Sequence, residues 1–250
     1  MRESLAYLIH ALRMLVHEPA TTLRVLQPAL VLLGGASIAA ATVAPDFLAL
    51  SAQDPESLVL PTPGKMLTGL LLAVLALLGY ALVAILWHRH VLLDGPEQLR
   101  PDGGIVLSYI WRAILVGLVQ MAISIPVIFL ISAFGASGMP VSLLGILAAV
   151  FFVWVALRLS VILPAAALGE TMTIRQSWET TAPSALPLLW LALWLLVINS
   201  LISAGIALLV TPATPFGIAL GTLAYLVEGL IFISVLTTLY GHLVQRRPLS

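Results

Sequence analysis

Residues 66–87 read MLTGLLLAVLALLGYALVAILW, an apolar run without a charged side chain. A helix of about 20 apolar residues crosses the roughly 30 Å hydrocarbon core of a bilayer, so the run predicts a transmembrane helix. The strict alternation of polar and apolar residues that marks a barrel strand is missing from it. Because lipid offers no partner to a free backbone amide, a helix is the structure that this run can adopt in a membrane.

Five further runs have similar length and apolar character. Together with the first they predict an all-α fold, a polytopic transmembrane bundle of six spans arranged as three hairpins within residues 25–240. The predicted spans are 25–44, 66–87, 109–134, 141–163, 186–210 and 217–240.

The composition of the 250-residue chain agrees with this fold. Apolar residues make up 61% and charged residues 9%, whereas a soluble domain carries about 25% charged residues. The segments between the predicted spans are too short for a separate globular unit, so residues 1–250 are predicted to form a single membrane-embedded domain. The formal net charge is zero, which gives no reason to expect a nucleic-acid partner. The absence of cysteine excludes disulfides and thiolate metal ligands.

Basic residues predict the orientation of the spans. Short loops rich in Lys and Arg stay on the cytoplasmic side, and ten arginines fall on one predicted side against Lys65 on the other. Both termini are therefore predicted to be cytoplasmic, in a bacterial inner membrane. Four aromatic residues at the same ends of the spans are predicted to sit among lipid headgroups: Trp87, Tyr109, Trp111 and Tyr240. The ten arginines are Arg2, Arg13, Arg24, Arg89, Arg100, Arg112, Arg158, Arg175, Arg246 and Arg247.

Two cytoplasmic segments are predicted to form amphipathic helices on the membrane surface. Residues 1–19 carry apolar side chains at helical spacing and end at Pro19, which cannot continue a helix. Residues 171–182, before the fifth span, contain Thr173 and Gln176 at the spacing of a capping box. Both segments bring basic residues to the surface, where each contributes about 1 kcal/mol near anionic lipid. The predicted contacts with headgroups or partners are Arg13, Arg89, Arg175 and Trp178.

Three polar residues within the predicted spans are candidates for an intramembrane site: Glu228, Arg158 and Asn199. An ionisable side chain in the membrane costs roughly 2.5–3.5 kcal/mol, so each one requires a partner or a wet cavity. One interpretation is a proton or ion relay through Glu228 with Arg158 as its counter-ion. The other is structural, with Glu228 and Asn199 joining helices and Arg158 reaching the headgroups. The structural interpretation is favoured, because a single acid without polar neighbours makes a poor pathway.

Partial matches to catalytic and metal-binding motifs occur in the sequence, but physical arguments rule out the activity that each would suggest. The string GASG at 135–138 matches the GxSG of rhomboid proteases, but the histidines are predicted on the opposite side of the bilayer, far beyond the roughly 3 Å that a nucleophile and its base require. His88 and His90 flank Arg89, whose charge repels a cation, so a surface position is predicted for both. Neither a phosphate-binding glycine loop nor a complete HExxH motif occurs. We therefore predict no metal and no cofactor.

Residues 158–181, RLSVILPAAALGETMTIRQSWETT, resemble a pattern in uncharacterised bacterial six-span inner-membrane proteins, including the membrane domain fused to some glycerophosphodiester phosphodiesterases. In that pattern a span ends in an arginine, followed by a Leu-Pro segment, an acidic turn and a short helix with Ser-Trp. The matching residues here are Arg158, Leu163-Pro164, Gly169-Glu170 and Ser177-Trp178. The resemblance implies a bacterial inner-membrane domain. It does not imply that this protein hydrolyses glycerophosphodiesters, because the chain contains no soluble phosphodiesterase domain.

The sequence favours a non-enzymatic membrane protein that organises lipids or partner proteins, or an accessory subunit of a membrane complex. Its expected partners are membrane lipids, other subunits or a second copy of the chain. The alternative is a small transporter or proton-coupled permease that uses the Glu228 region. An enzyme ranks third, because no acid, base and nucleophile fall together on one side of the membrane.

Overall fold

The computed structural model describes residues 2–17, 19–50, 53, 59–93, 100–133, 139–209 and 215–249, and within these ranges the chain is helical and contains no strand. Six segments of the described chain are long and apolar enough to cross a membrane, which confirms a multi-pass, all-α membrane protein. In chain order the α-helices are α1 (Arg2–His17), α2 (Pro19–Val43), α3 (Pro45–Ala49), α4 (Pro63–Leu92), α5 (Gly103–Ala133), α6 (Met139–Leu159), α7 (Ile162–Ala167), α8 (Ile174–Thr180), α9 (Ala185–Leu209) and α10 (Pro215–Leu243).

Several helices extend beyond the predicted spans. α4 begins at Pro63 and ends at Leu92, because a proline fits the first turn of a helix and the hydrogen-bond ladder continues past the hydrocarbon. The predicted fourth span is bent: α6 ends at Leu159, and α7 follows after a turn. The bend brings α7 among α4, α5 and α10, where its side chains from Pro164 to Ala167 are buried.

Short helices occur in both segments predicted to lie on the membrane surface. α1 occupies residues 2–17, and Pro19 is the first residue of α2. α8 begins with the predicted capping box: Thr173 Oγ1 accepts from the backbone N–H of Gln176 at 3.2 Å, and the Gln176 side chain accepts from the backbone N–H of Thr173 at 2.7 Å.

Side-chain packing is densest at one end of the bundle. We call this the basic end, defined by Arg89, Arg112, Arg158 and Arg247, which all bond to backbone carbonyls there. The buried core, which includes Tyr7, Trp87, Leu157, Leu188 and Leu239, lies at this end. The halves of the spans farther from it carry many exposed apolar side chains, among them Val31, Leu71, Phe129, Leu201 and Leu223. The largest buried side chains are therefore concentrated at the basic end, and the apolar side chains of the other halves face outward.

α4 and α10 run parallel and in register. His88 contacts Thr237, which lies 149 residues later. The same offset relates Tyr80 to Gly229 and Leu92 to Gly241, two further contacts between these helices. A constant offset along three contacts requires both helices to run in the same direction. We call this contact the α4–α10 seam; it joins the second spans of the first and third hairpins.

Candidate functional site

Glu228 and Asn199, both predicted as intramembrane polar residues, form a hydrogen-bonded pair. Asn199 of α9 donates from Nδ2 to Oε2 of Glu228 of α10, at 2.8 Å. Asn199 is exposed and Glu228 is half-buried. The pair therefore joins two adjacent spans and still presents polar atoms to its surroundings.

Two adjoining cavities meet at this pair. The larger, the Glu228 cavity, has a volume of about 440 Å³ and lies where four spans converge. The smaller, of about 190 Å³, lies between α9 and α10 and shares Tyr225 and Glu228 with it. Together the two form a cleft along α10 from Phe232 to Gly221, about 16.5 Å at the helical rise of 1.5 Å per residue. The larger cavity is lined by Tyr80 of α4, Val153 and Ala156 of α6, Asn199 of α9 and residues of α10.

The Glu228 cavity has the size and chemistry of a small-solute site. Its volume lies within the roughly 300–1,000 Å³ of ordinary ligand pockets, which are mostly apolar with a few placed polar groups. The polar groups here are the carboxylate of Glu228, the amide of Asn199 and the side chains of Tyr80 and Tyr225. Glu228 is the only Asp, Glu, His, Lys or Arg among the described residues that line either cavity. Such a site can hold a proton or a small hydrogen-bonding or cationic solute.

A metal site finds no support in the described part of the chain. No group of three or more His, Cys, Asp or Glu side chains is placed there to hold an ion.

Arg158 is not the counter-ion of Glu228 in this structure. Its guanidinium carbon lies 3.5 Å from the ring centroid of Trp178 and 5.1 Å from that of Trp154. Nη2 donates to the carbonyl oxygen of Trp178 at 2.8 Å, and the side chain of Arg158 is buried. Arg158 therefore binds protein rather than headgroups or Glu228, and it attaches α8 to the end of α6.

Ser177 completes the attachment of α8 to α6. Its Oγ contacts the carbonyl oxygens of Arg158 at 2.7 Å and Leu159 at 3.1 Å. These carbonyls lie at the end of α6, where the helical ladder stops and acceptors would otherwise lack partners. The Arg and Ser-Trp residues in the quoted 158–181 segment thus act together as one clamp.

The residues predicted to contact headgroups fall into two groups. Arg13 and Arg175 are exposed, and Arg175 pairs with Glu179 at 2.7 Å; Trp178 is 36% exposed while it stacks on Arg158. Arg89 differs from the prediction, since it is 8% exposed and donates from Nη1 to the carbonyl of Ala167 at 2.7 Å. The bend that buries α7 leaves the last carbonyls of this helix in the protein interior, and Arg89 supplies a donor there.

The predicted aromatic contacts with headgroups also need correction. Trp87, Tyr109 and Tyr240 are buried in the protein, and Trp111 alone of the four is exposed. Tyr240 donates a short hydrogen bond to the carboxylate of Glu170, just after α7. These rings pack near α7 and the turn that follows it. The apolar pattern of residues 141–163 predicts a continuous span and gives no sign that α7 turns inward.

His88 is the polar residue whose position differs most from the prediction. It was expected at the surface, yet it is fully buried, with Nδ1 2.8 Å from Oγ1 of Thr237. Thr237 Oγ1 donates to the carbonyl of Ile233 at 2.8 Å, so its proton is committed and His88 Nδ1 acts as the donor. His88 Nε2 is then a bare acceptor, and no described atom bonds to it. No local sequence signal indicates this pairing, because Thr237 lies on the last span.

Comparisons of the chain with protein-family models, curated proteins and solved structures found no match. The chemistry of the site therefore has to be inferred from its geometry.

Proposed function

We propose that the protein is a non-enzymatic small transporter of the bacterial inner membrane, with both termini in the cytoplasm, that binds a small solute and a proton at Glu228. One observation carries the proposal: a carboxylate paired with an amide lies in a cavity of about 440 Å³ where four spans meet. Ionisable residues inside a membrane are costly and commonly mark solute or proton pathways. Crevices between spans near the middle of the bilayer are the usual substrate sites of secondary transporters.

The uneven packing of the bundle supports the same proposal. The cleft continues from Glu228 away from the basic end, past Tyr225 to Gly221. On the other side the core around Leu239, Leu157 and Trp87 is closed. A site closed toward the basic end fits one state of an alternating-access mechanism.

The test is proton flux into liposomes containing the full chain. A potassium diffusion potential drives protons inward, and a trapped pH-sensitive dye reports their arrival. We expect wild-type protein to conduct at least tenfold faster than protein-free liposomes, and Glu228→Gln to lose that flux while remaining monodisperse. Ser124→Ala is the matched control, because Ser124 is a polar residue of another span whose hydroxyl bonds to its own helix at Met121. Wild-type flux equal to that of empty liposomes would exclude the proposal.

A second candidate function is the organisation of lipids or partner subunits, including a role as an accessory subunit of a larger complex. It is favoured by the exposed basic residues Arg13 and Arg175 on the short helices α1 and α8. Near an anionic surface each basic side chain contributes about 1 kcal/mol of attraction. Native mass spectrometry after mild detergent extraction tests this candidate: a retained anionic lipid or partner protein, reduced in the Arg13→Gln/Arg175→Gln variant, is the expected result. A lipid-free monomer would count against it.

A further inference from the structure

Two cavities lie at different heights along the α4–α10 seam. The Glu228 cavity is lined by Tyr80 and, on α10, by Phe232. A second cavity of about 270 Å³, the basic-end cavity, is lined by Leu92 and, on α10, by Thr237 and Gly241. Phe232 and Thr237 are five positions apart on one helix, about 7.5 Å along its axis. On α10 a barrier of little more than one helical turn separates the two cavities, whereas on α4 their lining residues Tyr80 and Val91 are eleven positions, about 16.5 Å, apart.

The barrier contains polar atoms that have no partner within the described protein. His88 Nε2 and Ser234 Oγ are both completely buried, and neither bonds to a described atom. An unsatisfied buried polar group costs about 1–3 kcal/mol, and such groups in proteins usually bind ordered water. The bare Nε2 of His88 on the seam, with Ser234 Oγ at the height of the barrier on α10, indicates that water enters this barrier.

We infer that a proton path follows the α4–α10 seam, with His88 as the relay between the Glu228 cavity and the basic-end cavity. The inference rests on the proposed function, because it gives the route by which a proton bound at Glu228 reaches the basic end. The structural interpretation of Glu228 depends on the acid having no polar neighbours. In the fold Asn199 of α9 bonds to Glu228, and Tyr80 of α4 lines the same cavity.

The proton balance follows from the tautomer of His88. A proton released by the Glu228 carboxyl passes through water to the lone pair on Nε2, where a new N–H bond forms. The imidazolium then loses its Nδ1 proton to Oγ1 of Thr237, and the original Thr237 proton leaves its hydrogen bond with the Ile233 carbonyl and passes to water in the basic-end cavity that Thr237 lines. One proton enters and one leaves. A ring flip or a return exchange restores the first tautomer.

Six titratable groups of the described chain surround the relay or its exit. Tyr109 of α5 lies with its ring centroid 6.2 Å from that of His88, and Tyr80 lies two turns away on α4. Arg89, the next residue, directs its guanidinium to the carbonyl of Ala167. His10, His242 and Arg247 line the basic-end cavity at the exit of the path.

The experiment uses the full chain in the same proton-flux assay. His88→Gln retains hydrogen-bonding capacity but cannot carry a proton, and we expect at least a tenfold loss of flux. His90→Gln is the matched control, since His90 is on the same helix but only partly buried and packs near Trp87; its flux should stay within twofold of wild type. His88→Gly with millimolar imidazole added should recover flux, which a packing role alone would not give.

The outcomes separate the inference from the proposed function. If His88→Gln and Thr237→Val conduct like wild type while Glu228→Gln does not, the path is wrong and the proposed function stands. If wild type does not exceed empty liposomes, both fail. If His88→Gln does not fold, Thr237→Val decides, because valine has the shape of threonine without the hydroxyl: a tenfold loss supports the path and an unchanged flux overturns it.

Discussion

The guanidinium of Arg158 stacks on the indole of Trp178 and also donates to the backbone carbonyl of the same residue. A cation over a tryptophan ring away from water stabilises by about 2 kcal/mol. α8 has seven residues and is far too short to be stable as an isolated helix. Its position therefore depends on this contact and on Ser177.

Arg158→Lys tests that dependence. Lysine keeps the charge but loses the planar stacking and one of the directed hydrogen bonds, to Thr181 or to Trp178. We expect a loss of about 2 kcal/mol in unfolding free energy and faster amide exchange in α8, measured by hydrogen-exchange mass spectrometry. Arg175→Lys alters an exposed pair and should change stability by less than about 0.5 kcal/mol. Similar exchange in the two variants would contradict the clamp.

Gly79 sets the distance between α2 and α4. A Cβ at Gly79 would lie 2.8 Å from the backbone nitrogen of Leu33 and 2.9 Å from its Cα. Backbone atoms cannot move aside as a side-chain tip does, so Gly79→Ala should destabilise the protein by about 1–3 kcal/mol. Gly117→Ala meets no atom within 4 Å and should be neutral or slightly stabilising. Thermal unfolding in detergent compares the two, and equal midpoints would refute the close approach.

The buried hydroxyl of Tyr7 leads us to expect that the protein loses stability at high pH. Its hydroxyl donates to Glu3 at 2.7 Å and lies 3.4 Å from Ser184 Oγ. Burial, opposed by the Ser184 contact and reinforced by Glu3, raises the pKa of Tyr7 from 10.0 to about 12. Because the folded-state pKa is the higher one, this stabilisation is complete below pH 10 and is lost as the pH rises through 12. Tyr7→Phe should flatten that decline in unfolding midpoint, whereas Tyr225→Phe, at an exposed site, should leave it unchanged.

The predicted orientation is testable because the chain has no cysteine, so an introduced thiol is unique. Gly64 precedes Lys65 at the end opposite the basic end, and Thr171 precedes α8; both positions are exposed. In intact cells a membrane-impermeant maleimide should label Gly64→Cys and leave Thr171→Cys unlabelled until the cells are opened. The reverse pattern would invert the predicted topology.

The spans were predictable because the length of an apolar run is a local property of the sequence. Glu228 and Asn199 were found for the same reason, since a polar residue within such a run is conspicuous. Their pairing was not predictable, because it depends on how α9 and α10 are rotated about their axes. The hydrogen-bond partner of Arg158 lies 20 residues later in the chain, and that of His88 lies 149 residues later. The burial of Arg89 depends on a bend inside a continuous apolar stretch, which the sequence pattern does not mark.

The register of α4 against α10 has a consequence for biosynthesis. The ribosome must add 149 residues after His88 before Thr237 exists, which takes roughly 7–30 s at about 5–20 residues per second. Throughout that interval the imidazole lacks its native hydroxyl partner. The last span to be synthesised is thus the one that completes this contact, and a chain terminated before it leaves His88 without Thr237.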